Sequence, residues 1–545
     1  MSGSTEGAIA AARRIVEASP QDVTAHIELG DLLRKQNDID GARAALRAAL
    51  EVDARSVRAL RALARVERIA RDWTAAEQHL RAAQAVKPGN DKVTLELAEV
   101  LLRQVRFEEA ADLLRAALEG NPGHASFHSR LGYILRWKGA NAEAEPHLRR
   151  AIELDPTDAA AMIEMAMIFE ELGDFEPALD WHRRAVEVAG PRHAPTSFCS
   201  ALLAAGRSGR EAWGMNRNRI EYEAFAALPA ARLWQGEPLA GKSIFVITEG
   251  GPGDQIRDAC CFHELARQAA RVTVTIEPRL LALYQCSFPT VRFLAVPRQE
   301  RVAPYDRMLS RLIDPVALNE MEKHDYATLS PELLYFFREA NEQWGRQRSY
   351  LAPAPSMISK WRNRLDALGP GPKIGISWRS ERHVFNRVFY HTELIDWAPI
   401  LGQRGAHFVN LQYNECEDEL RDADKKFRIK IVRWPDLDLR NAFDEMAGLV
   451  FNLDMVLAPN TAILEFAGAL GRPALYMNRV PIAYDHWRMK DASGQDRLYP
   501  SVTQVRGARP YDTPALIDAV AKMLWSRVRP AEPRGLLARL RALWQ

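Results

Sequence analysis

One carboxylate at the end of a glycine loop is the first group in the chain set up for chemistry. In KSIFVITEGGPGDQI (residues 242–256) an apolar, β-branched run reads as a buried parallel strand. Glu249-Gly250-Gly251-Pro252-Gly253-Asp254 follows it. Glycine has no Cβ, so Gly250, Gly251 and Gly253 let the backbone bend sharply and approach a neighbour closely. The next run, QIRDACCFHELARQ, has helical spacing through Ile256, Ala259, Cys260, Phe262 and Ala266. Strand, loop and helix together put Asp254 at a helix N-terminus. In open α/β sheets that is the crevice where ligands bind. A carboxylate there can take a proton from a hydroxyl, or it can simply cap its helix. The loop is neither a GK[ST] phosphate loop nor GxGxxG.

A second cluster lies in LDMVLAPNTAILEFAGALGRPALYM, residues 453–477. A strand ends at Ala458-Pro459, and Asn460-Thr461 open a helix. Its small residues, Ala462, Ala467, Gly468 and Ala469, let it pack close to a sheet. Free N–H groups, the Thr461 hydroxyl and the positive end of the helix dipole make a site for phosphate. Ordinary capping by Asn460 is the alternative.

The elements that must hold these groups fill a chain of 545 residues, long enough for two to four domains. Apolar and charged contents of 47% and 26% are those of a soluble globular protein. A formal charge of +2 gives no general attraction to nucleic acid or to an anionic membrane. The cysteines, Cys199, Cys260, Cys261, Cys286 and Cys416, show neither a CxxC pair nor metal spacing, which predicts free thiols in a reducing cytosol. The N-terminal MSGSTEGAIA lacks the pattern of a secretory signal, and apolar runs fall short of a membrane span. A cytoplasmic protein is expected.

The first third repeats. Prolines stand at 20, 88, 122 and 156, where 122−88 and 156−122 are both 34 and 88−20 is two such periods. Small residues keep the same phase at Gly30, Ala64, Ala98, Gly132 and Ala166. So do alanines at 42, 76, 110, 144 and 178, and at 49, 83, 117, 151 and 185. Each unit reads as two amphipathic helices crossing at small residues, which resembles the tetratricopeptide repeat. Stacked units bury faces that one unit cannot, and such solenoids bind protein segments in their groove. Trp73, Trp137 and Trp181 read as core or groove wall. Arg61, Arg65, Arg68 and Arg103 read as solvated faces.

From Lys242 the period changes. Strand-like runs at 243–248, 272–277 and 291–296 alternate with helical ones. After a Gly/Pro cluster at 369–372, strands are expected at 373–378, 407–412, 429–434, 454–458 and 474–477, with helices near 392–402 and 441–451. That alternation predicts two parallel sheets of βαβ units enclosing a cleft. The expected organisation is a repeat superhelix over 1–192, an imperfect helix pair and linker over 193–239, α/β halves over 240–368 and 369–530, and a basic amphipathic tail over 531–545.

TEGGPGDQIRDACCFHELA, ISWRS, FVNLQY, APNTAILEFAGALGRPALYM and DHWRMKDASGQDRLYPSV fall in the order found in bacterial tetratricopeptide-repeat protein glycosyltransferases of the flagellin-modifying type. Their catalytic part resembles the heptosyltransferases and, more distantly, the O-GlcNAc transferases. The resemblance implies an α-solenoid followed by a GT-B fold of two Rossmann-like halves. It implies inverting transfer from a nucleotide sugar without a metal. Asp254 would act as base or acceptor-orienting carboxylate. The nucleotide sugar would meet Trp378, Arg379, Ser380, Gln412, Tyr413, Asn460, Thr461 and Ala462.

The chain departs from its relatives where they carry Asp-Thr and, four residues after the threonine, a histidine. Here stand Asn460-Thr461 and Glu465. A carboxylate beside a leaving diphosphate is repulsive, which favours a CMP-linked nonulosonic acid over UDP- or ADP-sugars. Arg379, Arg382, His383 and Arg387 would then meet the sugar carboxylate, and His383 and His391 are alternative acid/base groups. The expected function is transfer to Ser or Thr of a flagellin-like polypeptide held by the repeats. Heptosyltransferase-like transfer to a lipid or saccharide, and a degenerate binding scaffold, are the alternatives.

Overall fold

The computed structural model of the chain describes residues 2–192, 195–218, 232–297, 314–339, 349–380, 391–479, 496–508 and 512–528, with Tyr222, Phe225 and Ala226. The chain divides into two compact units. One is Met1–Leu172 with Asp180–Gly190, and the other is Gly173–Leu179 with Pro191–Gln545. The expected tail at 531–545 lies outside the described residues.

The first unit is built of helix pairs. Val23–Lys35 packs on Ile39–Val52, Val57–Ala70 on Trp73–Val86, Asp91–Arg103 on Phe107–Gly120, and Ala125–Lys138 on Asn141–Leu154. Ala159–Leu172 follows in the same phase. The 34-residue period is visible in the backbone itself. Asp22, Ser56, Asn90, His124 and Asp158 each accept a hydrogen bond from a first-turn N–H of the next helix. Left-handed residues turn the chain at Asn37, Arg71, Val105, Gly139 and Gly173. Helix crossings need small residues because space is absent. A Cβ on Gly30 would lie 2.6 Å from Leu46 Cγ, and one on Gly132 would lie 2.5 Å from Leu148 Cγ. Ala42, Ala76, Ala110 and Ala144 are wholly buried.

Trp137 is buried as expected, and Trp73 and Trp181 are half-buried. The arginines differ from expectation. Arg61 bonds Glu96 at 2.6 Å and Arg103 bonds Glu99 at 2.7 Å, so both belong to ion pairs between and within helices.

The second unit holds two parallel sheets. The first has strands β1 (Ser243–Ile247), β2 (Arg271–Ile276), β3 (Arg292–Ala295) and β4 (Tyr326–Leu329) in the order β3-β2-β1-β4. All five β1 residues are buried, as a central parallel strand requires. Asp325 fixes its start by accepting from the Ser243 N–H and hydroxyl, both at 2.8 Å. The second sheet has β5 (Lys373–Ile376), β6 (His407–Asn410), β7 (Met455–Ala458), β8 (Ala474–Asn478) and β9 (Val502–Arg506) in the order β6-β5-β7-β8-β9.

Three expectations need correction. The 429–434 run makes only a single bridge, Val409 to Val432, because Pro435 and a chain of turns follow it. Strands β4 and β9 lie outside the expected set. The Gly/Pro cluster at 369–372 is not the crossing between sheets. Gly369 and Gly371 take left-handed φ values and form the turn into β5, where Lys373 Nζ bonds the Gly371 carbonyl at 2.6 Å. The helix before it, Pro355–Asp366, already packs on the Phe443–Phe451 helix of the second sheet. The crossover therefore runs through residues 349–354.

Candidate functional site

The glycine loop follows β1 and opens the Pro252–Asp258 helix. Gly251 is its N-cap, and Asp254 Oδ2 accepts from the Gly251 N–H at 2.9 Å. Asp254 Oδ1 receives Arg257 Nη1 at 3.3 Å. The side chain stays 47% exposed, so an acceptor group can reach it. Gly250 is required twice. Its φ is +66°, and a Cβ there would stand 2.4 Å from Asp254 Oδ2. Asp254 therefore bonds back to its own loop, as the capping alternative expects, and its carboxylate stays accessible.

Gly253 is where the two halves meet. A Cβ on it would lie 3.4 Å from Glu465 Cγ and 3.6 Å from Ala462 Cα. The Pro252–Asp258 helix thus packs on the start of the Ala462–Ala469 helix. Thr461 is the N-cap of that second helix, yet its side chain makes no cap bond. Its hydroxyl is buried and has no hydrogen-bond partner among the described residues. A buried donor-acceptor without a partner costs about 1–3 kcal/mol, and the cost disappears when a ligand supplies one. Ala462 and Asn460 are half-buried beside it.

Glu465 does not reach into open space as a bare charge. Its carboxylate hydrogen-bonds the Tyr499 hydroxyl and attracts Arg257. The Tyr499 hydroxyl lies 3.1 Å from Tyr350 Oη, which donates to the Ile256 carbonyl at 2.9 Å. Burial, reinforced by Glu465, holds the Tyr499 phenol protonated well above its usual range. Burial opposes the charge of Arg257, and the carboxylates of Asp258, Asp254 and Glu465 more than offset it. Asp258 is wholly buried, which raises its pKa, while Arg257 and the Ser330 hydroxyl at 2.7 Å work the other way. Asp258, Tyr350 and Tyr499 escaped sequence reasoning, because Ser330, Ile256 and each other's hydroxyls, which fix them, lie 72 to 149 residues away in the chain.

A polar cavity of about 1030 Å³ opens at the carboxyl ends of β5, β6 and β8. Arg379, His391, Tyr413, Glu419, Arg440 and Arg479 are among its lining residues. Asp254, Asn460, Thr461, Ala462 and Glu465 border the junction between halves and not this cavity. Several expected contacts need correction here. Trp378 is wholly buried, and its indole N–H donates to Glu419. Gln412 is also buried, and its amide is spent on neighbouring backbone and on the Ser377 and Asn414 side chains. Its Oε1 accepts from Trp378 N at 3.0 Å and Nε2 donates to the Arg379 carbonyl at 2.9 Å. Both are buried, and neither is among the cavity's lining residues. Arg379 is neutralised by Glu419 and donates to the Glu415 carbonyl at 2.9 Å. Ser380 is buried, and its N–H donates to His391 Nε2 at 3.1 Å. His391 also lines the cavity. Tyr413 lines the cavity and is half-buried. Arg382, His383 and Arg387 lie outside the described residues.

Among known proteins, the tetratricopeptide repeat family matches residues 27–91, 95–159 and 138–194. Protein FlbA of Caulobacter vibrioides is 29% identical over 314 residues, covering 56% of this chain and 51% of that protein. The solved structures of YrrB, described as a TPR protein with an unusual peptide-binding site, and of a thermophilic TPR protein of Thermus thermophilus share 23% and 25% identity. They cover 34% and 33% of this chain, 94% and 100% of their own, with TM-scores of 0.28 and 0.30. Among the described residues no helix is long and apolar enough to cross a membrane. The chain spans about half the length of the curated relative it matches, and its first third consists of tetratricopeptide repeats.

Proposed function

We propose that residues 240–528 form a GT-B glycosyltransferase that moves a sugar from a nucleotide to a Ser or Thr hydroxyl of a polypeptide held by the repeats. Flagellin-like proteins are the acceptor class that the sequence resemblance suggests. One observation carries the reading. The loop that aims Asp254 lies against the helix start that carries the unpartnered Thr461 hydroxyl, with 3.4 Å between a Gly253 Cβ position and Glu465 Cγ.

In this reading Asp254 accepts the proton of the acceptor hydroxyl as its oxygen attacks the anomeric carbon. The bond from that carbon to the phosphate oxygen breaks, and its electron pair leaves with the phosphate. The Thr461 hydroxyl and the N–H groups at the start of the Ala462–Ala469 helix receive the charge that develops there. The polar cavity beyond β5 and β6 takes the nucleoside.

The charge argument for a monophosphate donor weakens, since Glu465 is tied to Tyr499 and Arg257. Titration of the full chain with CMP, UDP and ADP by calorimetry tests the reading: one nucleotide binds at least ten-fold more tightly than the others. Binding of none refutes it. The Asp254→Ala variant should keep that affinity and lose transfer, and retained turnover would remove Asp254 from its role.

A further inference from the structure

The repeat unit carries a groove of about 370 Å³ lined by Arg68, Glu96, Glu99, Arg103, Arg130 and Tyr133, with Leu95 at its side. It lies across the Val57–Ala70, Asp91–Arg103 and Ala125–Lys138 helices, which open three successive repeats. On the first of these, Arg58, Arg61, Arg65 and Arg68 recur at i, i+3, i+7 and i+10, which is one face of one helix. Like charges at that spacing oppose helix formation. Arg103 and Arg130 join them from the next two repeats.

Among the described residues, Arg58, Arg61, Arg65 and Arg68 meet two carboxylates within ion-pair distance, Glu96 and Asp31. Arg61 has Glu96 at 2.6 Å. Arg103 and Arg130 share Glu99, both at 2.7 Å. Arg65 stands 3.9 Å from Asp31, which already holds Arg34 at 3.2 Å. The Arg65 Nε is buried and has no hydrogen-bond partner among the described residues. Arg58 and Arg68 make no ion pair among the described residues. Although burial opposes it, Arg130, Arg103 and Arg68 together hold the Glu99 carboxyl below its usual range, which shows the sign of the field in the groove.

We infer that this groove binds an acidic segment of a polypeptide. Its carboxylates would lie on Arg65 and Arg68, and an apolar neighbour would lie on Leu95 and Tyr133. Half-exposed guanidinium groups short of partners reward an incoming carboxylate with charge-assisted hydrogen bonds. The same surplus of positive charge speeds encounter and rejects basic segments. This inference rests on the reading that the repeats capture a polypeptide, and it adds the charge of what they capture.

The test uses the full chain and three fluorescein-labelled probes: deca-glutamate, deca-serine and deca-lysine, followed by anisotropy. Deca-glutamate should bind at least ten-fold more tightly than the other two, and less tightly as salt rises from low to high ionic strength. The Arg58→Glu/Arg68→Glu double variant should lose at least ten-fold of that affinity with an unchanged thermal melt. An Arg149→Glu/Arg150→Glu variant carries the same change of charge on the Asn141–Leu154 helix and should lose far less. Equal binding of the three probes, binding of none, or equal losses in the two double variants would overturn the inference. Those outcomes leave the nucleotide titration as it stands. A chain that binds deca-glutamate but no nucleotide strikes the transfer reading alone.

Discussion

Replacing Gly250 by alanine isolates what the glycine loop does. The new Cβ would lie 2.4 Å from Asp254 Oδ2 and 2.7 Å from its Cβ. An ordinary contact is about 3.4 Å, so one of the two must move by roughly 1 Å. The backbone at Gly250 has φ +66°, which costs an alanine about 1–2 kcal/mol. Displacing the carboxylate also breaks its bond to the Gly251 N–H, worth about 1 kcal/mol. The expected loss is therefore about 2–3 kcal/mol of unfolding free energy. A shift of that size at a reacting group costs about a hundred-fold in turnover.

A double-mutant cycle separates the two terms. Made in an Asp254→Ala background, Gly250→Ala has no carboxylate to push and no Gly251 bond to break, so the backbone cost and the 2.7 Å contact with the remaining Cβ persist while the bond's contribution of about 1 kcal/mol should vanish. Urea denaturation of the four proteins reads the coupling directly. Equal losses in both backgrounds would refute the claim that Gly250 exists to seat Asp254.

Three other outcomes follow from the same physics. Thr461→Val removes an unpartnered buried hydroxyl at constant shape, so stability should hold or rise by up to about 1 kcal/mol while nucleotide affinity falls about ten-fold; calorimetry and urea melts together check this, and a loss of stability with unchanged affinity would contradict it. Arg136 is buried between Glu164 and Glu171, and burial raises the pKa of both carboxyls. Arg136→Met should cost about 3–5 kcal/mol at neutral pH. The deficit should shrink as pH falls and those carboxyls protonate, which chemical melts across pH would read. Asp325 is held at about 2 by the Ser243 N–H and hydroxyl, so its contribution is present above its unfolded pKa and is lost as pH falls through about 2. Asp325→Asn should flatten the acid limb of the stability profile between those values, with β1 otherwise unchanged by circular dichroism.

What local pattern can carry was readable in the chain. The repeat period showed because every unit solves the same crossing problem with a small residue, as Gly30 and Gly132 do against Leu46 and Leu148. The strand and glycine loop at 243–254 showed because an apolar run and its turn are contiguous. The Tyr326–Leu329 strand did not show, because four residues between a turn and a Ser-Pro step are too short for a period of two to register. Gln412 and Trp378 looked like ligand contacts because they follow strands. Trp378 is engaged by Gln412 and by Glu419, across gaps of 34 and 41 residues. Glu465 looked like an obstacle for the same reason: its partners, Tyr499 and Arg257, are distant in the chain.

Tyr350 sits on the segment that crosses between the two sheets, and its hydroxyl touches both sides at once. Its N–H and that of Leu351 also bond the Ala469 carbonyl, at 3.0 and 3.1 Å. One bond, to Ile256, ties this segment to the first half, and those to Tyr499 and Ala469 tie it to the second. Ile256 and Ala469 belong to the very helices that begin near Asp254 and Thr461, so the link lies close to both side chains. In the proposed transfer reaction, a link so placed would hold Asp254 and Thr461 in step.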